Sequence, residues 1–279
     1  LLKEYLTYIE PRRSSVYVKQ GKIFLQKYLE HLNGKPLAEV EEEDIRLFID
    51  NLAKGSRRAA TIKVYLGHVR SFHKFLSKRY QFDCPDTTDI GPKDYKGRTP
   101  APTKREAIPR EEIREMIYCT SNVRDRLVLL LLYYTGIRAS ELANLKLEDV
   151  DTENGIIHIR RGKGGKERFV PYDKKLLNPL IETWLRERTS YPSSKDSDYF
   201  LVSKSGRIRY EEIRQIVHKL AERAGIQKIV GRRADGAPIY RVTPHVLRHS
   251  FATHAKEDGV EFEHIQRILG HSNAVTTMG

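Results

Sequence analysis

The chain has 279 residues, with 50 Lys plus Arg against 37 Asp plus Glu and a formal net charge of +13. That length allows one large domain or two ordinary ones, and a hydrophobic content of 39% supports packed cores and excludes wholesale disorder. Two cysteines, Cys84 and Cys119, exclude a disulfide framework and a Cys-built zinc site, and the longest apolar run, Leu127 to Tyr134, is too short to cross a bilayer.

The first segment, Leu1–Ile9, reads as a short helix. Ser14 or Ser15 caps a longer one that runs to about Leu32 and stops at Asn33-Gly34. Val40, Ile45, Phe48, Ile49 and Leu52 recur at helical spacing and predict a third helix from about Glu41 to Ala53, ended by Lys54-Gly55. A fourth runs from about Arg58 to Arg79 with an apolar face of Ile62, Tyr65, Leu66, Val69, Phe72 and Leu76. Beside that face Lys63, Arg70 and Lys74 share one stripe, which suits either a phosphate backbone or plain solvent. Four helices with short connections make a small bundle over 1–82. The stretch 83–107 holds Pro85, Gly91, Pro92, Gly97, Pro100 and Pro102 and reads as a linker, basic enough to run against DNA or simply to stay soluble.

From 108 onward the pattern is mixed but mostly helical. Pro109 opens a helix to about Cys119, and Ser121 caps another through Tyr134 that stops at Gly136. Ile156–Arg160 and Arg168–Val170 read as antiparallel strands around Gly162-Lys163-Gly164-Gly165, with Tyr199–Val202 as a third strand. Helices follow at about Tyr210–Ala224, Pro244–Ala255 and Glu261–Leu269. The fold class is therefore mainly α: an N-terminal helical bundle, then a mostly helical α/β domain with a small antiparallel sheet.

The +13 surplus draws polyanions, nucleic acid first and an anionic membrane surface second; a soluble Lys-rich surface is the plain alternative. The charge is scattered, with no polybasic tail or lipidation pattern, so no membrane partner is expected. Few cysteines and no signal-peptide pattern fit a cytoplasmic location. The start at Leu1 in place of Met fits a trimmed chain or one with unseen ends.

Four short motifs carry chemistry-bearing side chains. Arg138 lies at a helix start, where its guanidinium joins free backbone N–H groups and suits a phosphate; pairing with Glu141 or Asp149 is the alternative. Lys163 tops a Gly-rich turn that can approach a ligand closely, or is an ordinary turn lysine. His245 and Arg248 share a helix face near an N-terminus capped by Thr243 and started by Pro244, a proton-transfer group beside a fixed cation. His245 and His249 have metal-compatible spacing, but no carboxylate completes a metal motif, so no metal is expected. His271 follows a helix-ending glycine and can donate to a phosphate oxygen.

Together the runs TGIRASELANLKLEDVD, GKGGKERFVP, TPHVLRHSFATH and ILGHSNAVTTM resemble the tyrosine recombinase family over about 108–279. The bundle before them matches the family's SAM-like core-binding domain by shape and position, and the chain looks closest to the Xer branch, especially its archaeal members. The resemblance implies a site-specific DNA recombinase, functioning in chromosome-dimer resolution and thus in chromosome partition at cell division. Its alternatives are a viral or mobile-element integrase carrying out DNA integration, or a DNA-binding regulator of the same fold. It implies attack by a tyrosine, a 3′-phosphotyrosyl bond, and no cofactor. Arg138 and Arg248 would clamp the scissile phosphate, Lys163 would protonate the leaving 5′-oxygen with Lys166 as a substitute, His245 would move protons at the nucleophile, and His271 would hydrogen-bond the phosphate. Glu141 would be a structural partner, and the family's further acidic residue would be Glu148 or Asp149. Lys63, Arg70, Lys74 and Lys166 would contact DNA. The partners implied are double-stranded DNA and further copies of the chain, a tetramer on DNA and a monomer or dimer when free, with room for an accessory protein. The family's tyrosine is expected just after Gly279, so the catalytic domain would lack its C-terminal end. A trimmed tail, an inactive relative, or a tyrosine supplied by another subunit would each account for that.

Overall fold

The structure, a computed structural model, describes residues 1–55, 57–83, 85–91, 106–160, 167–232 and 237–270. It divides into two compact units, Leu1–Thr103 and Lys104–Gly279. Among the described residues of the first, four α-helices occur: α1 (Leu2–Ile9), α2 (Ser15–Leu32), α3 (Glu42–Lys54) and α4 (Ala59–Tyr80). Local chemistry sets their ends. The Ser14 hydroxyl accepts from the Tyr17 N–H at the start of α2, and Asn33 ends it in the left-handed region at φ +47°. At the start of α3 the Asp44 carboxylate accepts from the Glu41 N–H at 2.8 Å and from Lys35 at 2.7 Å.

The expected apolar face of α4 is buried throughout, from Ile62 to Leu76, against Leu25 and Tyr28 of α2 and Ile45, Phe48 and Ile49 of α3. Each such burial contributes about 1.5–3 kcal/mol. Two histidines enter this core on the same helix. His73 Nε2 meets the Tyr28 hydroxyl at 2.8 Å, while His73 Nδ1 and both ring nitrogens of His68 have no hydrogen-bond partner among the described residues. Within the expected linker, Ile90 is buried with the bundle, and the Arg70 guanidinium holds the Thr87 side chain and the carbonyls of Thr87 and Ile90.

The second unit contains α5 (Arg110–Tyr118), α6 (Val123–Tyr134), α7 (Ala139–Ala143), α8 (Lys174–Arg188), α9 (Tyr210–Arg223), α10 (Pro244–Glu257) and α11 (Phe262–Leu269). Its strands are β1 (Val150–Asp151), β2 (Ile156–Ile159), β3 (Arg168–Pro171), β4 (Val202–Ser203), β5 (Gly206–Arg207), β6 (Ile229–Arg232) and β7 (Pro238–Tyr240). Helix α6 is apolar on every side, with Leu127 to Tyr133 all buried, and it forms the axis against which α8 and α10 pack. Strands β1, β2 and β3 form an antiparallel sheet in which Ile157 faces Val170 and Ile159 faces Arg168. Trp184 of α8 is fully buried, its indole N–H donating to the Phe200 carbonyl at 3.0 Å.

Three sequence expectations change. Asn122, not Ser121, caps α6, accepting from the Asp125 N–H at 2.9 Å. Tyr199–Val202 is not a strand: Tyr199 makes a single bridge to Lys146, and β4 begins at Val202 to pair with β5. Helix α8 and the β6–β7 hairpin have no counterpart among the expected elements. Pro179 inside α8 imitates a helix breaker, although Asp173 caps the helix and Leu177, Ile181 and Trp184 line its buried face.

The buried imidazole of His73 gives this unit a pH dependence. Burial pushes its pKa from 6.5 down to about 4. Between those values the unfolded chain binds a proton that the folded chain refuses, so stability falls as the pH falls through that window, by on the order of 3 kcal/mol in full. Protection of the α4 amides, corrected for the intrinsic pH dependence of exchange, should decline from pH 6.5 to 4. His73→Gln should flatten much of that decline, and an unchanged profile would count against the burial of a neutral ring.

Candidate active site

The site starts where α6 ends. Gly136 turns the chain in the left-handed region (φ +60°), and a Cβ there would lie 2.5 Å from the Phe251 ring, so only glycine fits. Arg138 then caps the N-terminus of α7. Its N–H donates to Glu141 Oε2 at 2.8 Å and its guanidinium to Oε1 at 2.7 Å. Arg168, on β3, meets the same carboxylate with both terminal nitrogens, at 2.9 and 2.7 Å. The Glu141 side chain is 4% exposed. Burial alone would push its carboxyl up, but the hydrogen bonds from Arg168 and from the Arg138 N–H, with the Arg168 charge, outweigh it and hold the pKa below the ordinary value.

The third arginine of the site comes from α10. The Thr243 hydroxyl accepts from the Val246 N–H at 3.3 Å, and Pro244 takes the first helical position. The preceding residue is fixed by a side chain acting as a strand: Gln227 donates to the Val242 carbonyl at 3.1 Å and accepts its N–H at 2.9 Å. Arg248, 4% exposed, donates to the carbonyls of Gly136 and Leu269. Burial first, then the charge of Arg138, pushes its pKa down to about 9, which leaves it a cation at neutral pH. His245 lies one turn earlier on α10 and is exposed; His249 is half-buried.

The end of α11 completes the arrangement. The Ile268 carbonyl accepts from Arg168 Nε at 2.7 Å, next to the Leu269 carbonyl held by Arg248. Two guanidiniums therefore satisfy the last carbonyls of α11, at the negative end of its dipole. Gly270 follows in the left-handed region (φ +62°), where a Cβ would crowd the Arg168 side chain at 3.1 Å.

Of the residues singled out in the sequence, Arg138 and Arg248 come together, through the Gly136 turn and through the charge of Arg138 felt at Arg248. His245 shares α10 with Arg248. Lys163, Lys166 and His271 lie outside the described residues. The carboxylate on Arg138 is Glu141; Asp149 is buried, accepts the Lys146 N–H at 2.9 Å and pairs with Arg160, and Glu148 lies 3.4 Å from Arg160. Lys63, Arg70 and Lys74 are exposed on α4 of the other unit. Among the described residues no group of three or more His, Cys, Asp or Glu is placed to hold a metal ion. The concentration of fixed positive charge suits an anion.

Sequence reasoning passed over Arg168. The signal was present in the strand alternation: Phe169 points out to solvent while Arg168 and Val170 share the opposite phase, so a charged residue takes an inward position.

A family model described as the phage integrase family matches residues 106–279, and one described as the phage integrase N-terminal SAM-like domain matches residues 17–80. Tyrosine recombinase XerA of Pyrococcus furiosus is 34% identical over 282 residues, covering 99% of this chain and 87% of the relative. Tyrosine recombinase XerC of Oceanobacillus iheyensis is 33% identical over 284 residues, covering 98% and 87%. A crystal structure of XerA recombinase matches with a TM-score of 0.54 at 29% identity, covering 99% of this chain and 91% of that one. XerH recombinase bound to difH substrate before cleavage shares the fold, with a TM-score of 0.74 at 21% identity, covering 99% and 79%.

Removing the shared carboxylate tests how much of the unit depends on it. Glu141→Ala leaves the Arg168 guanidinium, 9% exposed, buried without its counter-charge. The expected cost is about 3–5 kcal/mol in urea unfolding of the C-terminal unit. A loss below about 1 kcal/mol, the range of an exposed pair, would contradict the burial described.

Proposed function

This chain belongs to the phage integrase family, as a tyrosine recombinase of the Xer type, and we propose that it resolves chromosome dimers by cutting and rejoining DNA through a 3′-phosphotyrosyl intermediate. The observation that carries this reading is the convergence of Arg138 and Arg248 on one turn, Arg138 held by nearby Glu141 and Arg248 by carbonyls 112 and 21 residues away. Two fixed cations bracketing one phosphate stabilise the charge that builds on its non-bridging oxygens as the phosphorus becomes five-coordinate. Such groups do this best when already oriented, and the contacts to Glu141, Gly136 and Leu269 supply that orientation.

In the proposed reaction a tyrosine hydroxyl attacks the scissile phosphorus, the bond to the 5′-oxygen breaks, and Lys163 gives that oxygen its proton. His245 takes the proton of the tyrosine, and His271 hydrogen-bonds the phosphate. The free 5′-hydroxyl then attacks the partner strand's phosphotyrosyl bond, so one ester replaces another and the number of phosphodiesters is unchanged. In this reading the nucleophile would be a tyrosine just beyond Gly279. Lys63, Lys74 and Lys166 would contact the DNA backbone, with Arg70 a lesser contributor because its fork already holds Thr87 and Ile90. The active assembly would be a tetramer on two duplexes.

A chain carried past Gly279, incubated with a nicked suicide duplex selected from a random pool by its own binding, should become covalently joined to DNA. Arg138→Ala should slow that cleavage by about 10²–10³-fold while leaving most of the DNA affinity, because one phosphate contact among many is lost. Lys163→Ala should recover when the leaving oxygen is replaced by sulfur, which departs without a proton. Binding without any covalent adduct would favour a regulator over a recombinase.

A further inference from the structure

We propose that Arg168 is a positioning residue for the reaction, acting on the scissile phosphate through Arg138. The inference rests on the reading of Arg138 as part of the phosphate clamp. The two arginines never exchange a hydrogen bond with each other; they share Glu141. Arg138 reaches that carboxylate through one terminal nitrogen, a single bond whose direction depends on how the carboxylate is held. Arg168 reaches it through two parallel bonds, which fix the plane of the carboxylate. The plane of Glu141 in turn sets the direction from which Arg138 approaches, and the Arg138 N–H pins the other oxygen.

The same guanidinium has a third contact. Its Nε donates to the Ile268 carbonyl at 2.7 Å, at the end of α11, and Gly270 lacks the Cβ that would push it away. Arg168 thus bonds α7 and α11 at once from its place on β3. A lysine at 168 would keep the charge and lose the geometry, since an ammonium is a point charge with no fixed plane. If the role were only electrostatic neutralisation of Glu141, lysine would serve as well as arginine.

The test compares single-turnover cleavage by Arg168→Lys, Arg168→Met and Arg138→Ala on two forms of the selected duplex. One carries the natural phosphate and the other a neutral methylphosphonate, in which a methyl group replaces one non-bridging oxygen. On phosphate, Arg168→Lys should slow cleavage by about tenfold to a hundredfold with DNA affinity retained, the scale of a small misplacement of a clamp group. On methylphosphonate most of that loss should vanish, as it should for Arg138→Ala, because a neutral linkage needs less clamping. In an Arg138→Ala background the Arg168→Lys change should add little, since its route to the phosphate is already gone.

Equal slowing on both substrates, or a full additional loss in the double variant, would overturn the proposal while leaving the clamp reading intact. Absence of substrate selectivity in Arg138→Ala itself would sink the clamp reading instead. Failure of both Arg168 variants to give a folded, DNA-binding protein would also overturn it, by placing the arginine's role in stability.

Discussion

The C-terminal unit depends on one carboxylate that water barely reaches. A buried acid stays ionised only if its partners replace the hydration it has lost. Among the described residues Glu141 has four such hydrogen bonds, two from Arg138 and two from Arg168. Every one of them is charge-assisted, and they come from two different elements, α7 and β3. The consequence is mutual: neither arginine can leave without exposing a buried charge on the other side. The pair of cations is therefore fixed in a place where like charges would otherwise repel.

A second constraint joins the helices. The exposed carbonyls at a helix end need donors, and at the end of α11 these donors are the side chains of Arg168 and Arg248. Glycine is required at two points for the geometry to close. At 136 the Phe251 ring occupies the space of a side chain, and at 270 the Arg168 stem does. Positive charge, helix ends and glycine turns thus form one linked device. A change at Gly136 or Gly270 would be felt by guanidiniums several residues away in space, although neither glycine carries any chemistry.

What the sequence discloses follows the range of the forces involved. The α4 face, the Ser14 cap and the Thr243-Pro244 start of α10 are set by neighbours within a turn or two, and periodicity or cap chemistry shows them. Helix α8 stays hidden because Pro179 speaks locally against a helix, while the burial of Trp184 that sustains it is a tertiary effect. The hairpin β6–β7 is short, and its exposed Ile229 and Val230 give no inward–outward alternation. In the site, Arg138 and Arg248 stand out through their helix-start settings. Glu141 is legible as a partner of Arg138 three residues on, but the bonds from Arg168 to Glu141 and from Arg248 to Gly136 span 27 and 112 residues. The spacing of residues along the chain carries no trace of such contacts. The choice of Glu141 over Asp149 as the carboxylate on Arg138 is likewise made by the fold, which turns Asp149 to Arg160.

Trp184 is the sole tryptophan of the chain. It is fully enclosed in the C-terminal unit, its indole tied to Phe200 and its ring edge-on to Tyr191 at 5.5 Å. Intrinsic indole emission is thus a spectroscopic window on one half of the molecule. It will redden when the packing of α8 loosens and stay silent while the N-terminal bundle melts. Emission and far-ultraviolet dichroism recorded together would separate the two halves optically, without a label.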